Sequence, residues 1–317
     1  MRILPIYFPA SDAEVAKGDV TSAHIEAEVK HYLTLLKARM KRAGDALDPT
    51  DENKLEATLE TYLGAKFNSM TSEASEWAAS PWKERLEELW DSRAGSAVTW
   101  MERLREHHET VYRCPSCGLL RDLAQEGGDR MPVDHYLPRS AWPELAIVAT
   151  NLVPSCDTCN TRLKKTQAPG PGEGRLFLHP YFDHFITGIE LLAKIDIPAG
   201  ASAPRFEYSV AGKALAPEQE SVMSEHFRLL NLDKRYCFRA TQESLATVRS
   251  ETRRRVAAGD WTTPGDLSKW LAGHAETVLD AKGALNWETA ITRAFANSQD
   301  FAAWLFNAAK PFPVTNP

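Results

Sequence analysis

Two pairs of cysteines constrain this chain more than any other feature of its sequence. Cys114 and Cys117 form one C-x-x-C pair, Cys156 and Cys159 form the other, and 38 residues lie between the pairs. Four thiolates can bind one tetrahedral Zn²⁺ and leave no coordination position open, so such an ion would be structural. In a cytosolic chain this spacing favours zinc over disulfides. The alternative is two unconnected pairs of buried thiols.

The rest of the chain is dominated by apolar residues at helical spacing. This pattern predicts helices over 22–43, 51–68, 81–92 and 96–110, and again from about residue 217 onward. Two strands, with a hairpin across Pro198–Gly200, are predicted over 188–197 and 204–211. The sequence therefore predicts an α+β protein that is mainly α.

Three regions follow from these patterns. Residues 1–110 are predicted to form an N-terminal helical region, 111–187 a zinc-bound module, and 188–317 a C-terminal region of two short strands and then helices. The length of 317 residues agrees with two or three compact units. The module is thus expected to lie between helical flanks.

The charge of the chain is acidic and unevenly placed. Residues 1–110 carry 14 Lys/Arg and 20 Asp/Glu, whereas residues 111–317 carry 23 of each. Because a protein that binds nucleic acid by bulk charge would be basic, any contact with phosphates must be local. No apolar run reaches the ~20 residues of a membrane span, and no secretion signal is recognisable at Met1. We expect a cytoplasmic protein without a membrane partner.

The segment between the cysteine pairs contains the candidate chemistry. Its pattern predicts a strand over 131–137, a returning strand over 151–153 and a helix over 157–165. Asp134 at the end of the first strand and Asn160 at the start of the helix could face each other and offer two oxygens to a hard divalent cation. His135 would point to the opposite side of the strand unless the backbone bends, and its imidazole could take a proton from an attacking water.

These elements together resemble the HNH, or ββα-metal (His-Me finger), nuclease family with a four-cysteine zinc site. Three motifs occur in the family's order: Asp134-His135-x-x-Pro138, Asn151-Leu-x-Pro154, and Cys156-x-x-Cys159-Asn160-x-x-x-Lys164. The resemblance implies a treble-clef-like ββα fold around the zinc ion. The segment that contains these motifs is similar to restriction-type HNH enzymes of bacteria and to the HNH domain of RNA-guided nucleases.

The resemblance also implies a role for each matching residue. His135 would be the general base, Asp134 and Asn160 would be the ligands of a catalytic ion, and Asn151 would be the middle asparagine, whose side chain ties down the loop carrying His135. One position departs from the pattern, because colicin-type members have a histidine near Lys164. A charged lysine cannot bind a metal ion, so the expected ion is Mg²⁺ or Mn²⁺ rather than a histidine-bound transition metal.

The implied activity is metal-dependent hydrolysis of phosphodiester bonds in DNA, in a bacterial defence or restriction setting. Local phosphate contacts are expected from the residues after Asn160, namely Arg162, Lys164 and Lys165. The helical flanks are candidates for dimerisation or for binding a protein partner. The competing interpretation is a non-catalytic zinc module that binds nucleic acid or protein.

Overall fold

The computed structural model describes most of the chain. The described residues are 6–8, 13–15, 19–64, 74–91, 114–119, 132–165, 177–198, 203–212, 215–237, 241–282 and 286–310. Within them the protein is mainly helical, with three small antiparallel sheets of two strands each. The predicted helix over 96–110 lies outside the described residues. None of the described helices combines the length and the apolar character that crossing a membrane requires.

The chain divides into two compact units, and the first is discontinuous. Unit 1 contains Met1–His184 and Ala216–Leu230, and unit 2 contains Phe185–Leu215 and Asn231–Pro317. The chain therefore leaves unit 1 after His184 and returns to it for one further segment. The regions predicted over 1–110 and 111–187 fall together in unit 1, apart from the last three residues.

Unit 1 begins with a short hairpin and three helices. Strands β1 (Ile6–Phe8) and β2 (Ala13–Val15) pair antiparallel, and α1 (Ser22–Ala43), α2 (Pro49–Leu63) and α3 (Lys83–Asp91) follow. Helices α1 and α2 begin at side-chain caps, Thr21 and Asp48, that accept backbone N–H groups of the first turn. Helix α1 packs against both α2 and α3, and the three helices bury the apolar residues Leu36, Met40, Leu55, Leu59, Leu86 and Leu89.

The segment around the cysteines forms two strands followed by a helix. Strand β3 (Val133–His135) pairs antiparallel with β4 (Leu152–Pro154), with Asp134 opposite Val153. Two single 3₁₀ turns, Pro143–Leu145 and Ala149–Asn151, lie in the connection. Helix α4 (Thr158–Lys164) follows and is wider than an α-helix, since the Lys165 N–H donates to the Asn160 carbonyl five residues earlier.

Unit 1 is completed by α5, and unit 2 is built on a longer hairpin. Helix α5 (Pro217–Leu229) carries the buried residues Val222, Met223 and His226. In unit 2, β5 (Ile189–Asp196) pairs with β6 (Arg205–Gly212). Its helices are α6 (Leu232–Arg235), α7 (Thr241–Ala257), α8 (Pro264–Lys282), α9 (Trp287–Asn297) and α10 (Gln299–Ala309). The core of unit 2 includes stacked Phe295 and Phe301, whose ring centroids are 4.3 Å apart.

Candidate metal centre and active site

The four paired cysteines converge in unit 1. Their Sγ atoms all lie within 4.8 Å of one another, and those of Cys117 and Cys156 are 3.9 Å apart. Four thiolates at the usual Zn–S distance of ~2.3 Å lie roughly 3.8 Å apart in a tetrahedron. The cluster therefore fits a zinc site. Among the described residues, it is the one group of three or more His, Cys, Asp or Glu side chains close enough to share a metal ion.

Hydrogen bonds of the local backbone orient the four thiols toward one point. The Gly118 N–H donates to the Cys114 carbonyl at 2.7 Å, and the turn requires a φ of +70° at Gly118, which a residue without Cβ adopts at no steric cost. The Cys156 N–H donates to the Cys114 sulfur at 3.3 Å, so the second pair supports a ligand of the first. Both C-x-x-C turns are thus arranged around the same centre.

Without an ion, the four thiols share charge unevenly. Burial opposes ionisation of Cys114, yet hydrogen bonds from the Cys117, Cys156 and Cys159 thiols hold the pKa of Cys114 well below its ordinary value. The hydrogen bond to Cys114 in turn raises the pKa of Cys117 and of Cys159 well above the ordinary value. One negative charge at this centre therefore hinders a second, and a divalent cation removes that restriction by charge neutralisation.

The two edges of strand β3 bind different partners through its backbone groups. The Ser155 N–H donates to the Pro132 carbonyl and the Tyr136 N–H to the Asn151 carbonyl, so the backbone groups of the even-numbered residues face β4. The carbonyls of Val133 and His135 consequently point to the opposite edge. They accept hydrogen bonds there from two side chains of α4, Asn160 Nδ2 at 3.4 Å and Lys164 Nζ at 2.7 Å.

Asp134 lies in a buried ion pair with Lys164. Its Oδ1 is 3.0 Å from Lys164 Nζ, and the two side chains are only 9% and 6% exposed. Burial raises the pKa of Asp134 to about 6, because the adjacent Lys164 ammonium offsets only part of the desolvation. The carboxylate is therefore ionised near neutral pH and held by a cation from the chain itself.

His135 lies on the other face of β3 with a defined tautomer. Its Nε2 is 3.0 Å from the Ala146 carbonyl, which can only accept, so Nε2 carries the proton and the neutral ring has its lone pair on Nδ1. The Trp90 indole at the end of α3 packs edge-on against the imidazole, with centroids 4.6 Å apart. Burial lowers the pKa of His135 to about 4, so the imidazole is a neutral base at pH 7.

The Asn151 amide holds the loop between β3 and β4 in place by hydrogen bonds to two parts of that loop. Its Oδ1 accepts from the Leu137 N–H at 2.8 Å, and its Nδ2 donates to the carbonyls of Leu137 at 3.1 Å and Leu145 at 3.0 Å. Leu145 directly precedes Ala146, whose carbonyl holds His135. The side chain is fully buried, so these bonds are protected from water.

The remaining predicted site residues lie on α4 and differ in exposure. Asn160 is half-buried, and among the described residues no group donates to its Oδ1 or to Asp134 Oδ2. Those two oxygens have the chemistry of hard-cation ligands. Arg162 and Lys165 are exposed. Lys164 differs from the expected phosphate contact, because its ammonium is buried on Asp134 and the His135 carbonyl and is not presented to a ligand.

Several residues that support the site were not identified from the sequence. Trp90 contacts His135, and the Tyr62 hydroxyl bonds both Asn151 and His179. His226 on α5 binds the carbonyl of Ser116 within the first cysteine pair. These contacts join residues far apart in sequence, and no local pattern indicates them.

Comparison with known proteins gives one informative relative. The protein ea31 of Escherichia phage lambda is 27% identical over 194 residues, which cover 60% of this chain. The matched region spans 63% of the length of that relative. No protein-family profile and no solved structure matches the chain.

Proposed function

We propose that this protein is a metal-dependent endonuclease of the HNH type that hydrolyses phosphodiester bonds in DNA. The observation that carries the proposal is the His135 imidazole, a neutral ring whose Nε2 proton is held by the Ala146 carbonyl and whose Nδ1 retains a lone pair. A general base must be uncharged at the working pH and must keep a free lone pair, and the His135 ring meets both conditions. The β3–β4–α4 arrangement beside the four-cysteine cluster and the motif resemblance support the same function.

In this proposal each residue of the site has a separate role. His135 Nδ1 removes a proton from a water molecule, whose oxygen attacks phosphorus. The bond from phosphorus to the 3′ oxygen breaks, this oxygen leaves with the electron pair and takes up a proton from a solvent water, and the His135 imidazolium returns its proton to solvent. Asp134 Oδ2 and Asn160 Oδ1 would hold Mg²⁺ or Mn²⁺, which when bound stabilises charge on the phosphate oxygens. Asn151 keeps the Ala146 carbonyl, and thereby His135, in place.

Contacts with the nucleic acid backbone are proposed to be local. Arg162 and Lys165 are exposed on and just after α4, in the same unit as His135. A few such cations can hold the phosphates next to the scissile bond even in a chain of net charge −6. The zinc cluster would serve only to fix the two turns that frame the strands. A bacterial defence or restriction setting rests on the family resemblance alone.

One observation favours a second candidate, a non-catalytic zinc module that binds nucleic acid or protein. The Asp134 carboxylate is already neutralised by Lys164 within the interior, as in an ion pair that only supports a fold. In that case His135 would be a packed histidine between Trp90 and the Ala146 carbonyl. The two candidates differ in what loss of the imidazole does.

Plasmid cleavage in Mg²⁺ or Mn²⁺ separates them. We expect His135→Ala to lower the cleavage rate by at least about 100-fold, because general-base catalysis contributes a factor of this order. Zinc content and the folded state should be retained. His274→Ala, a histidine of α8 in unit 2, is the matched control and should cleave at the normal rate.

Two results would reject the nuclease assignment. Equal cleavage by the wild type and His135→Ala would show that His135 is not the general base. A wild type that binds one zinc ion and DNA but cleaves neither single-stranded nor duplex substrate with either metal would establish the second candidate instead.

A further inference from the structure

A chain of buried hydrogen bonds links helix α2 to the loop that follows His135. Tyr62, at the end of α2, is fully buried, and its hydroxyl is 3.1 Å from His179 Nε2 and 3.1 Å from Asn151 Oδ1. The Thr150 carbonyl lies at 3.4 Å from the same hydroxyl. His179 is also fully buried. A phenol between an imidazole and an amide can serve both as acceptor and as donor.

The positions of the protons follow from the partners. The Tyr181 N–H donates to His179 Nδ1 at 3.3 Å, so the ring proton of His179 is on Nε2. That proton points to the Tyr62 oxygen, which leaves the Tyr62 hydroxyl to donate to Asn151 Oδ1. The His179 backbone N–H is bound in turn by the Asp183 carboxylate at 2.5 Å. Each donor in the chain therefore has an acceptor.

The chain of hydrogen bonds ends at Asn151, the residue that organises the loop over 137–145. Asn151 Oδ1 receives both the Tyr62 hydroxyl and the Leu137 N–H, while its Nδ2 binds the carbonyls of Leu137 and Leu145. A rotation of the amide would break the bonds at both ends of the 137–145 loop together. Since the next carbonyl, that of Ala146, holds His135 Nε2, the orientation of the imidazole depends on the same amide.

We propose that Tyr62 and His179 are positioning residues for the nuclease reaction, acting through Asn151 and the 137–145 loop on His135. This inference rests on the proposed function for its effect on catalysis. Neither residue would touch the substrate. Helix α2 thereby becomes part of the catalytic apparatus, although it precedes the cysteine-rich segment by about fifty residues of sequence.

The test removes one hydroxyl and compares it with another. Tyr62→Phe keeps the ring packing against Phe182 but loses the bond to Asn151. Tyr32→Phe is the matched control, because the Tyr32 hydroxyl is also buried and has no hydrogen-bond partner among the described residues. For Tyr62→Phe we expect kcat to fall about tenfold with KM unchanged, since only the placement of the base is altered.

A second measurement does not depend on activity. We expect amide hydrogen exchange at Leu137, whose N–H binds Asn151, to become about tenfold faster in Tyr62→Phe and to stay unchanged in Tyr32→Phe. His179→Gln, which keeps an N–H donor for Tyr62, should lie closer to the wild type in both measurements than His179→Leu.

The outcomes separate the two proposals. If the wild type does not cleave DNA, the proposed function fails, while faster exchange at Leu137 would still establish the hydrogen-bonded link. If Leu137 exchange and kcat respond to Tyr62→Phe no more than to Tyr32→Phe, the positioning role is wrong even when the nuclease is active.

Discussion

At the scale of the residue, the most consequential pair is Asp134 and Lys164. Removing one partner of a buried ion pair leaves the other charge without compensation, so we expect Lys164→Met to destabilise the protein by about 3 kcal/mol near pH 8. The folded pKa of Asp134, about 6, is already above its ordinary 3.8. Loss of Lys164 raises it further, and the penalty should therefore shrink near pH 5, where the acid is protonated.

Denaturant unfolding at the two pH values measures this difference. Lys165→Met is the matched control, because Lys165 is the next residue along the chain and its side chain is exposed. It should have almost no effect at either pH. If Lys164→Met destabilises the protein equally at both pH values, the loss of stability does not come from the unpaired Asp134 carboxylate.

Glu144 is a second buried acid, and it forms no ion pair with a cation of the described residues. Its side chain accepts from the Ser75 hydroxyl at 2.9 Å, and burial raises its pKa to about 7 from 4.5. Because the folded pKa is the higher one, the contribution of Glu144 to stability is greatest below about pH 4.5 and falls by roughly 3 kcal/mol between about pH 4.5 and 7.

The substitution Glu144→Gln tests that sign. We expect Glu144→Gln to be more stable than the wild type near pH 8 and to show no such advantage near pH 5, as measured by thermal unfolding. Glu60→Gln, an exposed acid of α2, should show no pH-dependent difference. A wild type whose stability rises between pH 5 and pH 8 relative to Glu144→Gln would contradict the raised pKa.

At the scale of the element, helix α3 controls the environment of His135. The Trp90 indole shields the imidazole, and burial is the main cause of its pKa near 4. Trp90→Ala should let the pKa rise toward the ordinary value of ~6.5. Since a general base must be neutral, the acid limb of the pH–rate profile should move upward by one to two pH units, on the order of this shift.

Cleavage rates between about pH 4 and 8 show this shift directly. Trp270→Ala, in unit 2, should leave the acid limb where it is in the wild type. An unchanged limb in Trp90→Ala would mean that the indole does not set the environment of the base.

The elements themselves were largely predictable, because their signals are local. Apolar periodicity placed a helix over 22–43, and the structure has it at Ser22–Ala43. The strands predicted over 188–197 and 204–211 are found at Ile189–Asp196 and Arg205–Gly212. The second helix, predicted over 51–68, begins earlier at Pro49 and ends at Leu63, before Gly64. Boundaries depend on caps and glycines more than on the apolar pattern.

The environment of the candidate site was less predictable. Lys164 was expected to contact phosphates, but the sequence did not indicate that α4 covers the free edge of β3 and places this ammonium on Asp134. The wide turn of α4, which ends with Lys165 at φ 53°, was not indicated either. Likewise the contact between Trp90 and His135 depends on how distant segments pack, which composition and spacing do not encode.

At the scale of the whole molecule, unit 1 depends on a segment from beyond the β5–β6 hairpin. The imidazole of His226 on α5 accepts the Leu178 N–H on Nδ1 at 3.2 Å, and its Nε2 donates to the Ser116 carbonyl at 2.8 Å. His226→Leu should cost about 2 kcal/mol, because buried backbone groups lose their partners, and should speed zinc release to a chelator.

Metal analysis and chelator kinetics measure this effect. The wild type should contain about one zinc ion per chain, as a site of four cysteines requires. Glu220→Ala, on the exposed side of α5, should behave like the wild type. Equal zinc release from His226→Leu and Glu220→Ala would show that α5 does not support the first cysteine pair.

The return of the chain to unit 1 also sets the order of maturation on the ribosome. All four cysteines emerge well before His226 is synthesised, since translation proceeds from the N-terminus. A nascent chain can therefore load metal while Ser116 still lacks its partner. An unfinished polypeptide would carry the ion but not the completed support, so any property that depends on this support should appear only after residue 226 has been translated.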